Sequence, residues 1–235
     1  MKKFELTNEF ITNMFGTKLF RIRALVEFGD VEAGELGGYV EKESNLGHDG
    51  NAWVYGDAQV SDDARVYGNA WVYGDAQVSG DAQVSGDARV YGNAWVYDNA
   101  WVYGNARVYG DAQVSGDARV YDNAWVYGDA QVSGNARVYG NARVCGNALV
   151  CGNGDYAYAH GFGSVNRTTT FFRLKDGGVG VRCGCFYGTL AQFRDKIRET
   201  HGETKKAQEY LMLADLMELR FEEDENEVGN RKYVE

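Results

Sequence analysis

A six-residue pattern repeats without interruption over residues 50–151, and it constrains the fold more than any other feature of the chain. These 102 residues form 17 hexads, each with Ala at the third position and Val at the fifth. One β-branched and one small residue per hexad suit the inside of a narrow coil. The first two positions are Gly or Asp followed by Asn or Asp, which accept the positive φ of a sharp corner. The pattern predicts a left-handed parallel β-helix.

Three sides of six residues close one coil, so 17 hexads are expected to make about 5.7 coils of 18 residues that rise about 27 Å. The outward positions on either side of each Val also recur with every third hexad. This three-hexad period separates an aromatic side, a glutamine side with Gln and Ser, and a mixed side with Tyr, Arg and Trp101. The aromatic side carries Trp53, Tyr55, Trp71, Tyr73, Tyr91, Tyr109, Trp125 and Tyr127.

Composition and charge argue against several classes of protein. The formal net charge of −10 does not suit a protein that binds nucleic acid or an anionic membrane, since both need clustered Lys and Arg. No apolar stretch has the length expected of a signal peptide or a membrane span. Four cysteines without an obvious disulfide framework fit a reducing compartment, so a cytoplasmic location is expected.

The N-terminal segment, residues 1–49, is predicted to form a β cap on the first coil. A solenoid end otherwise exposes apolar surface and unpaired strand edges. The segment is expected to contain a strand over 18–26. Its inward contacts are expected from Leu36, Tyr39, Val40 and Leu46.

After the β-helix, which we expect to cover 50–154, residues 155–222 are predicted to form a small α+β domain. Two strands, 168–174 and 179–185, are separated by a hairpin signal. Thr189 is expected to cap a first helix, and a second helix is expected over about 203–221 with Ala207, Tyr210, Leu211, Ala214 and Phe221 in its core stripe. An acidic tail, 223–235, is expected to be loose. The predicted fold class is mainly β.

The hexads resemble those of the hexapeptide-repeat family, whose members form left-handed β-helices, commonly as trimers, and include many acyltransferases. A narrower resemblance rests on the YGNAWVYGDAQVSG repeats, the lead-in FRIRALVEFGDVEAGELGGYVEKESNLGHDG and the C-terminal FFRLKDGGVGVRCGCFYGTLAQFRDKIRETHG with its CGCFYGT segment. These stretches are similar to proteins of bacteria and their phages. This narrower resemblance implies no activity.

The family resemblance implies acyl transfer as one alternative function. That reaction needs a general base, usually His, and a channel for the acyl carrier. The chain has only His48, His160 and His201, none of which lies within the hexads, and no loop is inserted between hexads. An acyltransferase would have to use His48 or His160 as its base. Acyl transfer is therefore the less favoured function, and we expect no catalytic residue.

The four cysteines offer an alternative zinc site. Cys183 and Cys185 are close in sequence, but Cys145 and Cys151 belong to different sides of the β-helix. Tetrahedral zinc needs its ligands to converge on one point. We expect neither a metal nor a cofactor, and read all four cysteines as small packing residues.

An anion site is the candidate binding function of the C-terminal domain. Thr189 lies at a helix start, where free backbone amides attract anions, and basic side chains are close in sequence. The candidate ligand contacts are Arg167, Arg173, Arg182 and Thr189.

The aromatic side is the candidate oligomer interface, because Trp, Tyr and Arg are enriched at interface hot spots. The alternative is a surface on which stacked rings shield the coils. We expect all eight aromatic residues of this side to join the chains of a homotrimer.

These expectations combine into a non-enzymatic homotrimeric scaffold whose C-terminal domains bind a small anionic ligand or a host protein. Since the narrower resemblance includes phage proteins, one hypothesis is a counter-defence protein in the host cytoplasm that sequesters a host protein or a nucleotide signal. A purely structural spacer is the third alternative. Membrane binding is not expected, and nucleic-acid binding is disfavoured.

Overall fold

The computed structural model describes residues 1–163 and 167–222, so the predicted acidic tail lies outside the described residues. The chain divides into two compact units, of which the first ends at Asn153 and the second begins at Gly154. Within the described residues, no helix has the length and apolar character needed to cross a lipid bilayer.

The first unit begins with three strands that extend one sheet of the solenoid. These strands are β1 (Phe4–Thr12), β2 (Lys18–Ala24) and β3 (Leu36–Val40). β1 pairs antiparallel with β2, and β2 pairs antiparallel with β3. β3 then pairs parallel with the hexad strand Gln59–Val60. The strand predicted over 18–26 is therefore present but ends two residues earlier. A short 3₁₀ helix, Glu43–Asn45, follows β3.

Each of the 17 hexads contributes one short strand, β4 to β20, and the strands form three parallel sheets. The aromatic side contains β4 (Trp53–Val54), β7 (Trp71–Gly74), β10 (Arg89–Gly92), β13 (Arg107–Gly110), β16 (Trp125–Gly128) and β19 (Arg143–Val144). The glutamine side contains β5 (Gln59–Val60), β8 (Gln77–Val78), β11 (Trp95–Val96), β14 (Gln113–Val114), β17 (Gln131–Val132) and β20 (Leu149–Val150). The mixed side contains β6 (Arg65–Val66), β9 (Gln83–Val84), β12 (Trp101–Val102), β15 (Arg119–Val120) and β18 (Arg137–Val138).

The register of these sheets confirms the predicted three-hexad period. Val72 pairs with Val90, and Val90 with Val108, and the outward residues beside them pair in the same way. Every Ala and every Val at the third and fifth hexad positions is buried. The core of the first unit is therefore a column of Ala and Val inside a parallel β-solenoid of about six coils.

The first residue of every hexad has a positive φ, as the Gly and Asp pattern predicted for a sharp corner. Fourteen of these residues are Gly, and the other three are Asp62, Asp98 and Asp122, with φ between 55° and 57°. Each Asp accepts a hydrogen bond at Oδ2 from the backbone N–H of the corner glycine one coil later. The carboxylate thus stabilises a backbone conformation that most L-residues avoid.

The N-terminal segment supplies a coil that precedes the regular hexads and differs from them in length. Val40 pairs with Val60 and Leu46 bridges to Val66, so both occupy inward positions one coil before the regular repeat. The paired residues Val40 and Val60 are 20 residues apart, two more than in a regular coil, because His48 and Asp49 are inserted before the first regular hexad. Tyr39, Val40 and Leu46 are buried as predicted, but the prediction for Leu36 is wrong because 47% of its surface is exposed.

The second unit is an antiparallel sheet with two helices packed on it. The sheet order is β21 (Tyr156–Phe162), β22 (Arg167–Arg173), β23 (Val179–Cys183) and β24 (Phe186–Thr189), followed by α1 (Leu190–His201) and α2 (Lys205–Phe221). The predicted strand 179–185 is interrupted, because Gly184 has a φ of 59° and turns the chain into β24. Phe171, Val181, Phe193, Ile197 and Tyr210 lie in the core between sheet and helices.

Both helix predictions are confirmed with small differences. Thr189 caps α1, since its side chain accepts a hydrogen bond from the backbone N–H of Gln192. In α2, Ala207, Tyr210, Ala214 and Phe221 are buried as predicted, but Leu211 is only partly buried and Met217 takes the missing core position.

Candidate ligand-binding site

The aromatic side forms a continuous tyrosine column. The rings of Tyr73, Tyr91, Tyr109 and Tyr127 stack nearly parallel, with centroids 4.7 to 4.9 Å apart. Burial raises the pKa of Tyr73 and Tyr91 above the usual range for tyrosine. Tyr55 leaves the column and tilts towards Trp71, 5.5 Å away.

Arginines and tryptophans share the outward positions beside this column and contact each other within the chain. Arg89 lies 4.9 Å from the ring centroid of Trp71, and Arg107 and Arg143 lie 4.9 Å and 4.7 Å from that of Trp125. All the described aromatic rings of this side that reach the surface are partly buried. The most exposed solenoid rings lie instead on the mixed side, where Tyr67 and Tyr139 are each 40% exposed.

Trp53, expected at the interface, lies inside its own chain. It is fully buried, with Phe4 and Phe28 at ring-centroid distances of 6.3 Å and 5.3 Å. The N-terminal segment therefore covers the first position of the aromatic side. The remaining seven interface candidates stay a prediction.

His48 is held in the N-terminal segment by both ring nitrogens. The backbone N–H of Lys3 donates to Nδ1 at 3.2 Å, so Nε2 carries the proton and donates to Glu43 Oε1 at 2.9 Å. The ring also stacks on Phe4 at 4.7 Å. A histidine with both nitrogens engaged is poorly placed to accept a substrate proton, so the geometry gives no support to acyl transfer at this position.

Lys3 is buried next to His48. Its ammonium donates to the carbonyl oxygens of Ala52 and Gly50 at 2.8 Å and 3.3 Å, and it lies 4.6 Å from the ring centroid of Phe28. Burial lowers the pKa of Lys3 to about 8.

The second unit contains a pocket of about 270 Å³ between its sheet and α1. Its apolar lining comes from Phe186, Phe193, Ile197 and Tyr210. Its basic lining comes from Arg167, Lys196 and His201. The described residues that line it include no Asp or Glu. The pocket thus combines an apolar floor with three basic groups, an arrangement that suits an anion with an apolar part.

Two contacts position the lining residues. Arg167 passes so close to Gly184 that a Cβ on this glycine would overlap the guanidinium group. His201 stacks on Tyr210 with centroids 5.9 Å apart. The turn at Gly184 and the end of α1 therefore bring basic groups to the same pocket.

The structure does not gather the four predicted anion contacts. Arg167 lines the pocket, but Arg173 binds Asp155 at 3.4 Å and the carbonyl oxygen of Phe221 at 3.1 Å. Thr189 uses its hydroxyl as the cap of α1. Arg173 and Thr189 therefore serve the fold.

Arg182 belongs to the opposite face of the sheet, because its neighbours Val181 and Cys183 face the helices and side chains alternate along a strand. Its guanidinium donates to the carbonyl oxygen of Cys185 at 3.4 Å. The sequence analysis did not predict Lys196 and His201. Lys196 follows the buried Phe193 by three residues and His201 follows the buried Ile197 by four, so each lies beside a core residue of α1.

His160 and the cysteines do not come together in a catalytic or metal site among the described residues. His160 is exposed, and its Nδ1 lies 2.9 Å from Thr168 Oγ1. Cys183 is buried and accepts from Thr169 Oγ1 at 3.2 Å, whereas Cys185 is exposed and lines the pocket. Across residues 1–163 and 167–222, no group of three or more Cys, His, Asp or Glu side chains is arranged to hold a metal ion.

Comparison with known families matches the solenoid alone. The model described as the YdcK β-solenoid repeat matches residues 58–74, 82–98, 100–113, 112–128 and 130–146. All five segments lie within the hexads, so the chain contains a repeat similar to that of this β-solenoid. The comparison with curated proteins gave no match.

Proposed function

We propose that this protein is a non-enzymatic binding protein whose C-terminal unit takes up a small organic anion. The observation that carries the proposal is the pocket in which Arg167, Lys196 and His201 surround an apolar floor without an Asp or Glu among the described lining residues. Charge-assisted hydrogen bonds from Arg and Lys are the strongest that side chains offer to phosphate or carboxylate. Lys196 pairs with Glu199 at 2.8 Å, but such an exposed pair contributes little and a ligand can replace it.

The floor indicates a ligand with a flat apolar part. Phe186, Phe193 and Tyr210 line the pocket with aromatic rings, of which Phe193 and Tyr210 belong to the core and Phe186 is partly exposed. Aromatic rings favour contact with planar groups such as nucleobases. A small nucleotide therefore fits the chemistry of the pocket. In a phage setting, the protein would act in the host cytoplasm by sequestering a nucleotide signal.

The solenoid is proposed to act as a rigid support that assembles into a homotrimer through the aromatic side. The stacked column from Tyr73 to Tyr127 supports this proposal, because it presents a flat, ordered strip of rings at a low cost in side-chain entropy.

Isothermal titration calorimetry with a panel of mono- and cyclic nucleotides tests the binding function. The two matched variants are Arg167→Ala, in the pocket, and Arg182→Ala, on the opposite face of the same sheet. We expect Arg167→Ala to weaken binding about tenfold or more, and Arg182→Ala to leave it unchanged. Equal effects of the two variants, or no binding of any anion in the panel, would contradict the proposal.

A further inference from the structure

A second pocket, of about 440 Å³, lies in the first unit between the β1–β2 turn and the glutamine side. Phe15 from the turn and Trp95 and Tyr97 from the solenoid line it, together with Asp62 and Asp98. No Lys, Arg or His is among its described lining residues. This composition is opposite in charge to that of the C-terminal pocket.

The lining coincides with a local departure from the repeat. On the neighbouring coils of the glutamine side the sequence is Gln-Val-Ser-Gly, at 77–80 and 113–116, but residues 95–98 read Trp-Val-Tyr-Asp. All three of the replaced outward residues line the pocket. The regular solenoid does not need them, since Gln, Ser and Gly occupy the equivalent positions without any change of register.

The β1–β2 turn is ordered by its own hydrogen bonds and does not fill the space. Asn13 Oδ1 accepts from the backbone N–H groups of Phe15 and Thr17 at 3.0 Å and 2.9 Å. Phe15 nevertheless remains 76% exposed. The turn therefore holds an aromatic ring at the pocket without packing that ring into the solenoid.

The two carboxylates can accept a further partner. Asp62 and Asp98 each use Oδ2 to accept from the backbone N–H of a corner glycine, at 3.1 Å in both cases. Within the part of the chain that the structure describes, no group donates a hydrogen bond to Oδ1 of either residue. Each side chain thus carries a negative charge at the pocket on a fixed backbone.

We infer that this pocket binds an organic cation with methyl groups on its nitrogen, such as a quaternary ammonium group. Aromatic rings attract such cations through their negative faces, and carboxylates complement the charge. Methyl groups on the nitrogen favour contact with Phe15, Trp95 and Tyr97 over hydration. The group is carried either by a free small molecule or by a methylated lysine side chain.

Titration followed by ¹H–¹⁵N NMR of the indole N–H signals tests this inference on the full chain. The probes are choline, its neutral isostere 3,3-dimethylbutanol, and one peptide with or without trimethylation of its lysine. We expect a saturable shift of the Trp95 signal with choline or the trimethylated peptide, and about tenfold weaker binding of the neutral or unmethylated counterpart. Whether choline or the peptide binds more tightly distinguishes the two sources.

The repeat itself supplies variants that should fold. Trp95→Gln and Asp98→Gly restore the residues of the adjacent coils, and Trp95→Gln also assigns the Trp95 signal by removing it. In calorimetry we expect each variant to weaken binding of the cation about tenfold, whereas Trp101→Gln on the mixed side leaves it unchanged. The inference is overturned by an unshifted Trp95 signal, by equal binding of 3,3-dimethylbutanol, or by equal effects of Trp95→Gln and Trp101→Gln.

Discussion

Arg107 and Trp125 occupy equivalent positions one coil apart, and the guanidinium carbon of Arg107 lies 4.9 Å from the centroid of the Trp125 ring. Arg143, one coil further on, lies 4.7 Å from the same ring. Trp101 on the mixed side has one such partner, Arg119, at 5.0 Å. The two tryptophans therefore differ in the number of cation–π contacts that they make between coils.

This difference predicts unequal losses of stability. Trp125→Gln removes two cation–π contacts and is expected to lower the free energy of unfolding by about 1–2 kcal/mol, whereas Trp101→Gln is expected to cost about half as much. Urea denaturation followed by circular dichroism measures both variants. Equal losses would show that the arginines contribute little to the stacking of coils.

The corner positions predict opposite outcomes for two substitutions of one glycine. Gly116 has a φ of 63°, and a Cβ there would lie 3.0 Å from the backbone nitrogen of Gly134. Gly116→Val is expected to cost about 2 kcal/mol or more, because a β-branched residue is strained at positive φ. Gly116→Asp is expected to be nearly neutral, since Asp98 occupies the same corner one coil earlier and bonds to the next coil. Thermal melts compare the two variants, and similar destabilisation by both would contradict this account of the corner.

Lys3 predicts a pH dependence of stability. Burial lowers its pKa from 10.5 to about 8, so between about pH 8 and pH 10 the unfolded chain holds a proton that the folded chain has lost. The free energy of unfolding is therefore expected to rise with pH in this window. Ionisation of the partly buried tyrosines opposes the rise only above about pH 10, because burial raises the pKa of residues such as Tyr91.

Urea titrations at pH 7, 8, 9 and 10 compare the wild type with Lys3→Met. The variant is expected to lack the rise, whatever its absolute stability. A rise of the same size in both proteins would assign the effect to another group.

The oligomer proposal predicts a difference between two tyrosine columns of similar geometry. Tyr91 and Tyr109 stack at 4.8 Å on the aromatic side, and Tyr103 and Tyr121 stack at 4.9 Å on the mixed side. Replacing both tyrosines of a pair by Glu is expected to cost the fold a similar amount in either case, because the two pairs stack at nearly the same distance. Light scattering after size-exclusion chromatography is expected to show a trimer for the wild type and the mixed-side variant, and a monomer for the aromatic-side variant. A monomeric wild type, or equal dissociation of both variants, contradicts the interface.

The solenoid was predictable from sequence because each hexad specifies its own corner, strand and buried Val, and the three-hexad period adds the register. The N-terminal coil was only partly predictable, since it lies outside the hexad repeat. Val40 and Leu46 were predicted correctly as inward residues, but Leu36 is exposed. The C-terminal pocket was harder to predict, because Arg167, Lys196 and His201 come from a strand and a helix that meet only in the folded domain. Arg182 could have been excluded from the site by sequence alone. Side chains alternate along a strand, so Arg182 lies on the face opposite to the apolar Val181.

The stacking of coils also limits how the length of this protein can change. Each hexad strand pairs with the strands three hexads before and after it, so one hexad gained or lost would move every later outward residue to the next side of the solenoid. The tyrosine column would then continue over Gln and Ser. Only insertion or deletion of three hexads, which make one coil, keeps the three sides of the solenoid aligned. Each such coil changes its length by about 4.8 Å. The number of residues in the solenoid is therefore expected to vary by whole coils, while the segments before and after it stay the same.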